Sequence, residues 1–195
     1  MLRKHGRKST YKKMITPVPS TRYPLLMSAA NVEAAVEWAL AFLGAMRFLV
    51  TKPCVVFDID GTLVFNAEDG SSKAIRAICA LARACAKAGI TIFVITARVD
   101  EPQNRRHTER LLESCRMPAY AQLFMRPAES EYGTYKYRMR ADIRHRGYGI
   151  LLSIGDQFAD VNGKEPTSEI NDHTIYCGQI GDHGQFGIKL PSEFE

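Results

Sequence analysis

The sequence predicts an α/β domain, a doubly wound and mainly parallel sheet without a large cap domain. Three features of the chain point that way. The stretches "CVVFDI" (54–59), "ITIFVIT" (90–96) and "YGILLSIGD" (148–156) are apolar almost throughout, as in strands buried on both faces. Helical patterns separate them, which implies parallel strands joined by crossovers. The first and last of these strands run straight into aspartates, unfavourable inside a sheet but suited to the carboxyl ends where such folds bind ligands.

Residues 1–24 read as a basic tail and linker, and residues 25–195 as the domain. Six of the 26 Lys and Arg residues fall in the first 13 positions, leaving 20 basic against 21 acidic residues in the remainder. The basicity therefore belongs to the tail, which is either a solvated extension or a loose contact for a polyanion. The link "TPVPSTRYP" (16–24) is expected to be irregular. In "SAANVEAAVEWALAFLGAMRFL" (28–49), Val32, Ala35, Val36, Ala39, Leu43 and Met46 keep a helical period. Ser28 or Asn31 would cap that helix, and Trp38 and Phe42 would pack on the body or in a homo-oligomer interface.

After the first buried strand, "SSKAIRAICALARACAKAG" (71–89) reads as a helix capped by Ser71 or Ser72 and ended by Gly89. The second strand leads into "EPQNRRHTERLLESC" (101–115), a helix with Pro102 in its first turn. "AQLFMRP" (121–127) is a third strand, "GTYKYRMRADIRHRG" (133–147) a basic helix, and 148–156 a fourth strand. "HTIYCGQI" (173–180) and "FGIKLP" (186–191) complete the sheet.

Several classes are excluded or disfavoured by composition. The most apolar stretch, Ala34–Val50, contains Glu37 and Arg47 and does not read as a membrane span. The five cysteines are odd in number and form no CxxC pair, which fits reduced thiols rather than a disulfide frame or a zinc site. The charged start lacks an export signal, so a cytoplasmic location is expected.

Chemistry gathers at the strand ends: Asp58 and Asp60 on the first, Thr96 on the second, Lys136 on the basic helix, Asp156 and Asp160 on the fourth. Carboxylates and a lysine around one point suit phosphoryl transfer through a covalent aspartyl phosphate, which splits a hard hydrolysis into two easier steps. Phosphate and carboxylate repel, so a divalent cation is needed, and an all-oxygen donor set suits Mg2+. Charge spread over the transferring oxygens calls for a lysine, a hydroxyl and backbone N–H groups. An aspartate two residues after the nucleophile reaches the same rim and can shuttle the proton.

"DIDGT", "VITAR", a downstream lysine and "GDQFAD" resemble, in order, the four motifs of the haloacid dehalogenase (HAD) phosphatase superfamily, over roughly residues 53–163. "LFMRP", "GTYKYRMRADI", "LLSIGDQFADV" and "GIKLP" extend the likeness, to about residue 190, to the branch of class C acid phosphatases and plant vegetative storage proteins. The resemblance implies a HAD-type Rossmann-like core. It implies Asp58 as nucleophile, Asp60 as general acid/base, and Thr96 and Lys136 on the phosphoryl group. Mg2+ would sit on Asp58, Asp60 (through its carbonyl) and Asp156, with Asp160 behind them. One departure is Gly61, where that branch usually carries a further acid.

The function implied is a Mg2+-dependent phosphomonoester hydrolase acting on a nucleotide or other small phosphate ester. A polynucleotide 3′-phosphatase or phosphoprotein phosphatase is the alternative, favoured by a site with no room for a lid domain. A non-catalytic storage or binding protein on the same fold is the contrasting class. Arg98 reads as a structural ion-pair partner for an acid such as Asp100, and most arginines of the basic helix as a solvated face. Tyr132, Tyr135 and Tyr137 either pack the start of that helix or stack on a base. "GDHG" (181–184) reads as a turn.

Overall fold

The computed structural model describes residues 15–17, 27–67, 70–161, 173–179 and 186–191. In chain order these form strands β1 (Ile15–Pro17) and β2 (Met27–Ala29), helix α1 (Val32–Met46), and strands β3 (Pro53–Phe57), β4 (Val64–Asn66) and β5 (Ser72–Ala74). Helix α2 (Arg76–Lys87), strand β6 (Thr91–Val99), helix α3 (Pro102–Ser114) and strand β7 (Gln122–Arg126) follow. The remainder comprises helix α4 (Tyr132–His145), strand β8 (Gly149–Gly155), the single turn α5 (Phe158–Val161) and strands β9 (Ile175–Gln179) and β10 (Phe186–Lys189).

The main sheet has the order β1-β2-β9-β10-β8-β3-β6-β7. From β10 to β7 every pairing is parallel, and β9, β2 and β1 add an antiparallel edge. Successive side chains of a strand face opposite ways, and the core divides accordingly. Val55, Phe57, Ile92, Val94, Leu123 and Met125 pack on one side with the apolar faces of α1 and α2. Cys54, Val56, Phe93, Ile95 and Phe124 pack on the other with Tyr135 and Ile143 of α4. Both faces are covered, as the unbroken apolar runs require.

Asn31 caps α1, its side chain accepting from the Ala34 N–H at 2.8 Å. Trp38 stacks on Phe42, whose ring meets Phe186 of β10, so both aromatics pack on the body. Two expectations need correction. Residues 15–17 are a paired edge strand, so the irregular link does not include Thr16 and Pro17. Ser71 and Ser72 do not cap α2. Residues 72–74 pair with 64–66 as a hairpin, and Ile75 precedes the helix with no side-chain cap. Pairing with β4 satisfies the backbone of a segment whose serines imitate a helix start. Residues 1–14, the rest of the 18–26 link and "GDHG" lie outside the described residues.

Between β3 and α2, and between β6 and α4, the described chain contains only this hairpin, α3 and β7. The expected absence of room for a large cap in these two stretches agrees with that layout.

Candidate active site

Strand β3 stays in the ladder through Asp58, whose N–H donates to the Ile154 carbonyl at 2.9 Å. The chain then closes a tight turn in which the Ile59 carbonyl accepts from Leu63 and Val64, at 2.8 and 3.0 Å. Gly61 makes the turn possible, with φ of +68°. It also lies against Asp156, since a Cβ there would stand 2.6 Å from the Asp156 Cγ. A side chain at position 61 would thus collide with Asp156, which accounts for glycine where the related branch carries an acid.

Four buried or half-buried charges meet at these strand ends. Lys136, only 2% exposed, donates from Nζ to Asp58 Oδ1 at 2.7 Å and forms a very short pair with Asp160. Oxygens of Asp58, Asp156 and Asp160 all lie within 4.8 Å of one another. The Thr62 hydroxyl donates to Asp58 Oδ2 at 3.3 Å. Such an arrangement is not there for stability, because desolvating buried ions typically cancels their attraction.

The titration of the cluster follows from that crowding. Burial pushes Asp58 well above the usual carboxylate range, with Lys136 opposing and Asp160 and Asp156 adding to the shift. Burial and the Asp160 charge push Asp156 up to about 6. Burial alone would lower Lys136, but Asp160 and Asp58 outweigh it and hold the ammonium protonated. A cluster that favours bound protons in the absence of a cation is one whose oxygens can hold a metal.

Asp60 occupies a different place. Its carboxylate turns to Arg98, with Nη2 to Oδ1 at 2.6 Å and Nε to Oδ2 at 2.8 Å, a bidentate pair. Asn66 of the hairpin donates to Oδ1 at 2.7 Å, and Ser72 donates to the Asn66 carbonyl at 2.7 Å. Burial would raise Asp60, but the hydrogen bonds from Arg98 and Asn66 hold it below the usual carboxylate range. Arg98 therefore pairs with Asp60 rather than with Asp100, which is bound by Arg105. Thr96 is fully buried, and its hydroxyl accepts from the Arg98 N–H at 3.2 Å where the β6–β7 register slips. The slip re-aims the end of β6, as bulges beside functional sites do.

Motif reading overlooked two side chains. Arg140 is no part of a solvated face. It is 1% exposed and donates to the carbonyls of Asp160 and Ala159 at 2.7 and 2.9 Å, fixing α5 beneath the cluster. Gly155 leaves space for Asp160, which a Cβ there would overlap. Of the tyrosines, Tyr135 is buried and donates to the Met125 carbonyl at 2.7 Å, as a packing residue does. Tyr132 sits with the Lys136 Nζ 5.0 Å from its ring centre, and burial beside Asp160 raises its hydroxyl.

The family described as HAD superfamily, subfamily IIIB (acid phosphatase), matches residues 65–191, well over half the chain. The chain belongs to that subfamily. The match begins just after the Asp58–Thr62 turn, so the turn adds independent support from the geometry. Among solved structures, the class C acid phosphatase from Bacillus anthracis is similar at 17% identity and a TM-score of 0.55. That alignment covers 68% of this chain and 66% of the other, just under two thirds of its length. A structure of the same Bacillus enzyme with tungstate bound aligns equally well, at 17% identity and a TM-score of 0.55 over 68% and 66% of the two chains. A chain of the Pnkp1/Rnl/Hen1 complex aligns at 18% identity and a TM-score of 0.48, over 54% of this chain and 39% of its own. No curated protein matches. The fold shared with the Bacillus enzyme is the expected one, a mostly parallel sheet flanked by helices. No described helix is long and apolar enough to cross a membrane.

Proposed function

We propose that this subfamily IIIB chain is a phosphomonoester hydrolase in which Asp58 is transiently phosphorylated. The observation that carries the reading is the buried Asp58, fixed by Lys136 and Thr62 beside Asp156 and Asp160. Oxygens of this set, with the Asp60 carbonyl, fit a divalent cation of the Mg2+ kind, held by Asp58, Asp60 and Asp156. Such an ion supplies charge neutralisation between phosphate and carboxylates.

The chain's own residues do the rest. An Asp58 oxygen attacks phosphorus, the bond to the ester oxygen breaks, and Asp60 delivers a proton to the departing alcohol. Water then attacks the aspartyl phosphate, Asp60 takes its proton, and phosphate leaves with Asp58 restored. Lys136 and the Thr96 hydroxyl hold the transferring oxygens, and Asp160 holds Lys136. Five buried free thiols fit a reducing compartment such as the cytoplasm.

The substrate is a small phosphate ester. A polynucleotide 3′-end or a phosphoprotein is the second reading, favoured by the absence of a large cap in the described β3–α2 and β6–α4 connections. The test is hydrolysis of an aryl phosphate with Mg2+ against Asp58→Asn, with mononucleotides and a 3′-phosphorylated oligonucleotide in parallel. Loss of activity in the variant supports the reading, and full activity overturns it. Preference for the oligonucleotide replaces the first substrate class by the second.

A further inference from the structure

The side of Asp60 that faces away from the acidic cluster opens on a cleft of about 360 Å³. The hairpin supplies Asn66 and Ser72, the end of β6 supplies Arg98, and α3 supplies Asn104, His107 and Thr108. Three features define what it accepts. First, Asn66 and Arg98 both bind the Asp60 carboxylate, so the cleft begins at the group that hands a proton to the departing alcohol. Second, amides, hydroxyls, an imidazole and a guanidinium dominate the walls, with Val99 the one large apolar side chain and no acid among the described lining residues. Third, the Arg98 charge is already balanced by Asp60, so the cleft offers hydrogen bonds more than net charge. Its volume lies near the lower end for small-ligand pockets, roughly 300–1,000 Å³.

We propose that this cleft is the leaving-group subsite and that it selects phosphate esters of small polyhydroxylated, sugar-like alcohols. The inference rests on the phosphomonoesterase reading above and adds the substrate class. An aromatic alcohol would meet polar walls and leave their amides unpaired, which is costly. An anionic alcohol would find no uncompensated cation apart from the His107 side. A polyol matches donors and acceptors on both walls while its phosphoryl group stays at Asp58.

Asn104 and His107 are exposed on α3 and outside the reacting groups, so they can be changed without disturbing the chemistry. The experiment compares the wild type with the Asn104→Leu/His107→Leu double variant on glucose 6-phosphate, phenyl phosphate and phosphoglycolate, with Mg2+. Wild type should favour the sugar phosphate. In the double variant its KM should rise about tenfold, the scale on which losing paired polar contacts acts. The kcat/KM for phenyl phosphate should stay within about twofold, since its ring gains nothing from those polar groups. If the double variant does not fold, His107→Ala alone carries the same comparison. An equal change for all three esters, no change, or a wild-type preference for phenyl phosphate or phosphoglycolate overturns the subsite while leaving the phosphatase intact. Failure of the wild type on every ester overturns the phosphatase reading and this one with it.

Discussion

Replacing Gly61 by alanine tests how closely the catalytic turn is built against Asp156. Two costs are separable. The backbone sits at a φ of +68°, where a Cβ costs roughly 1–2 kcal/mol. The same Cβ would lie 2.6 Å from Asp156 Cγ, whereas carbon contacts prefer about 3.5–4.0 Å. Relief therefore needs about 1 Å of movement in Asp156 or the turn, a displacement that can cost about a hundredfold in rate. Gly89→Ala is the control. Gly89 has a φ of +73°, and a Cβ added there would meet nothing within 4 Å, so it carries the strain without the collision. Urea unfolding should show similar losses for both variants. Mg2+-titrated aryl phosphate hydrolysis should fall about a hundredfold, with a raised Mg2+ requirement, only in Gly61→Ala. Equal activity and Mg2+ half-saturation in the two variants would refute the packing argument.

Lys136→Met leaves Asp58 and Asp160 buried without their cation, so chemical denaturation in the absence of metal should show a loss of about 3–5 kcal/mol. Its kcat should drop about 10²–10³-fold, as for other lost transition-state donors. Asp60→Asn should impair alkyl phosphates more than aryl phosphates, because an aryl leaving group needs less protonation. Comparing kcat for the two ester types checks this, and equal losses would remove Asp60 from proton transfer. Burial pushes the thiols of Cys54, Cys85 and Cys177 up to about 12. Their folded values lie above the unfolded value of about 8.5, so the stability they contribute is complete below that pH and is lost as pH rises towards 12. The melting temperature should fall steeply between about pH 9 and 11, and alkylation at pH 8 should need unfolding.

Much of this site is legible in the sequence because buried strands tolerate few polar residues. Asp58 and Asp156 stand out at the ends of unbroken apolar runs, and Lys136 follows from its place at the start of the basic helix. The hairpin does not stand out. Its strands have three residues each, too short for a period, and Ser71–Ser72 imitates a helix cap. Arg98 depends on the register slip after Thr96, a tertiary feature that local pattern does not carry. Arg140 is different, because the chain does carry a signal for it. Tyr132, Lys136 and Arg140 are spaced four apart on α4, and a helix places such residues on one face. A lysine aimed at the site implies that its neighbours at that spacing face the same way.

The central claim is that Asp58 takes the phosphoryl group. Rapid acid quench of the wild-type protein turning over an aryl phosphate with Mg2+, followed by peptide mass analysis, tests it directly. One phosphoryl group on the Asp58 side chain, absent in Asp58→Asn, is the result this account predicts. A phosphoryl group on another residue, or full turnover by Asp58→Asn, would contradict it.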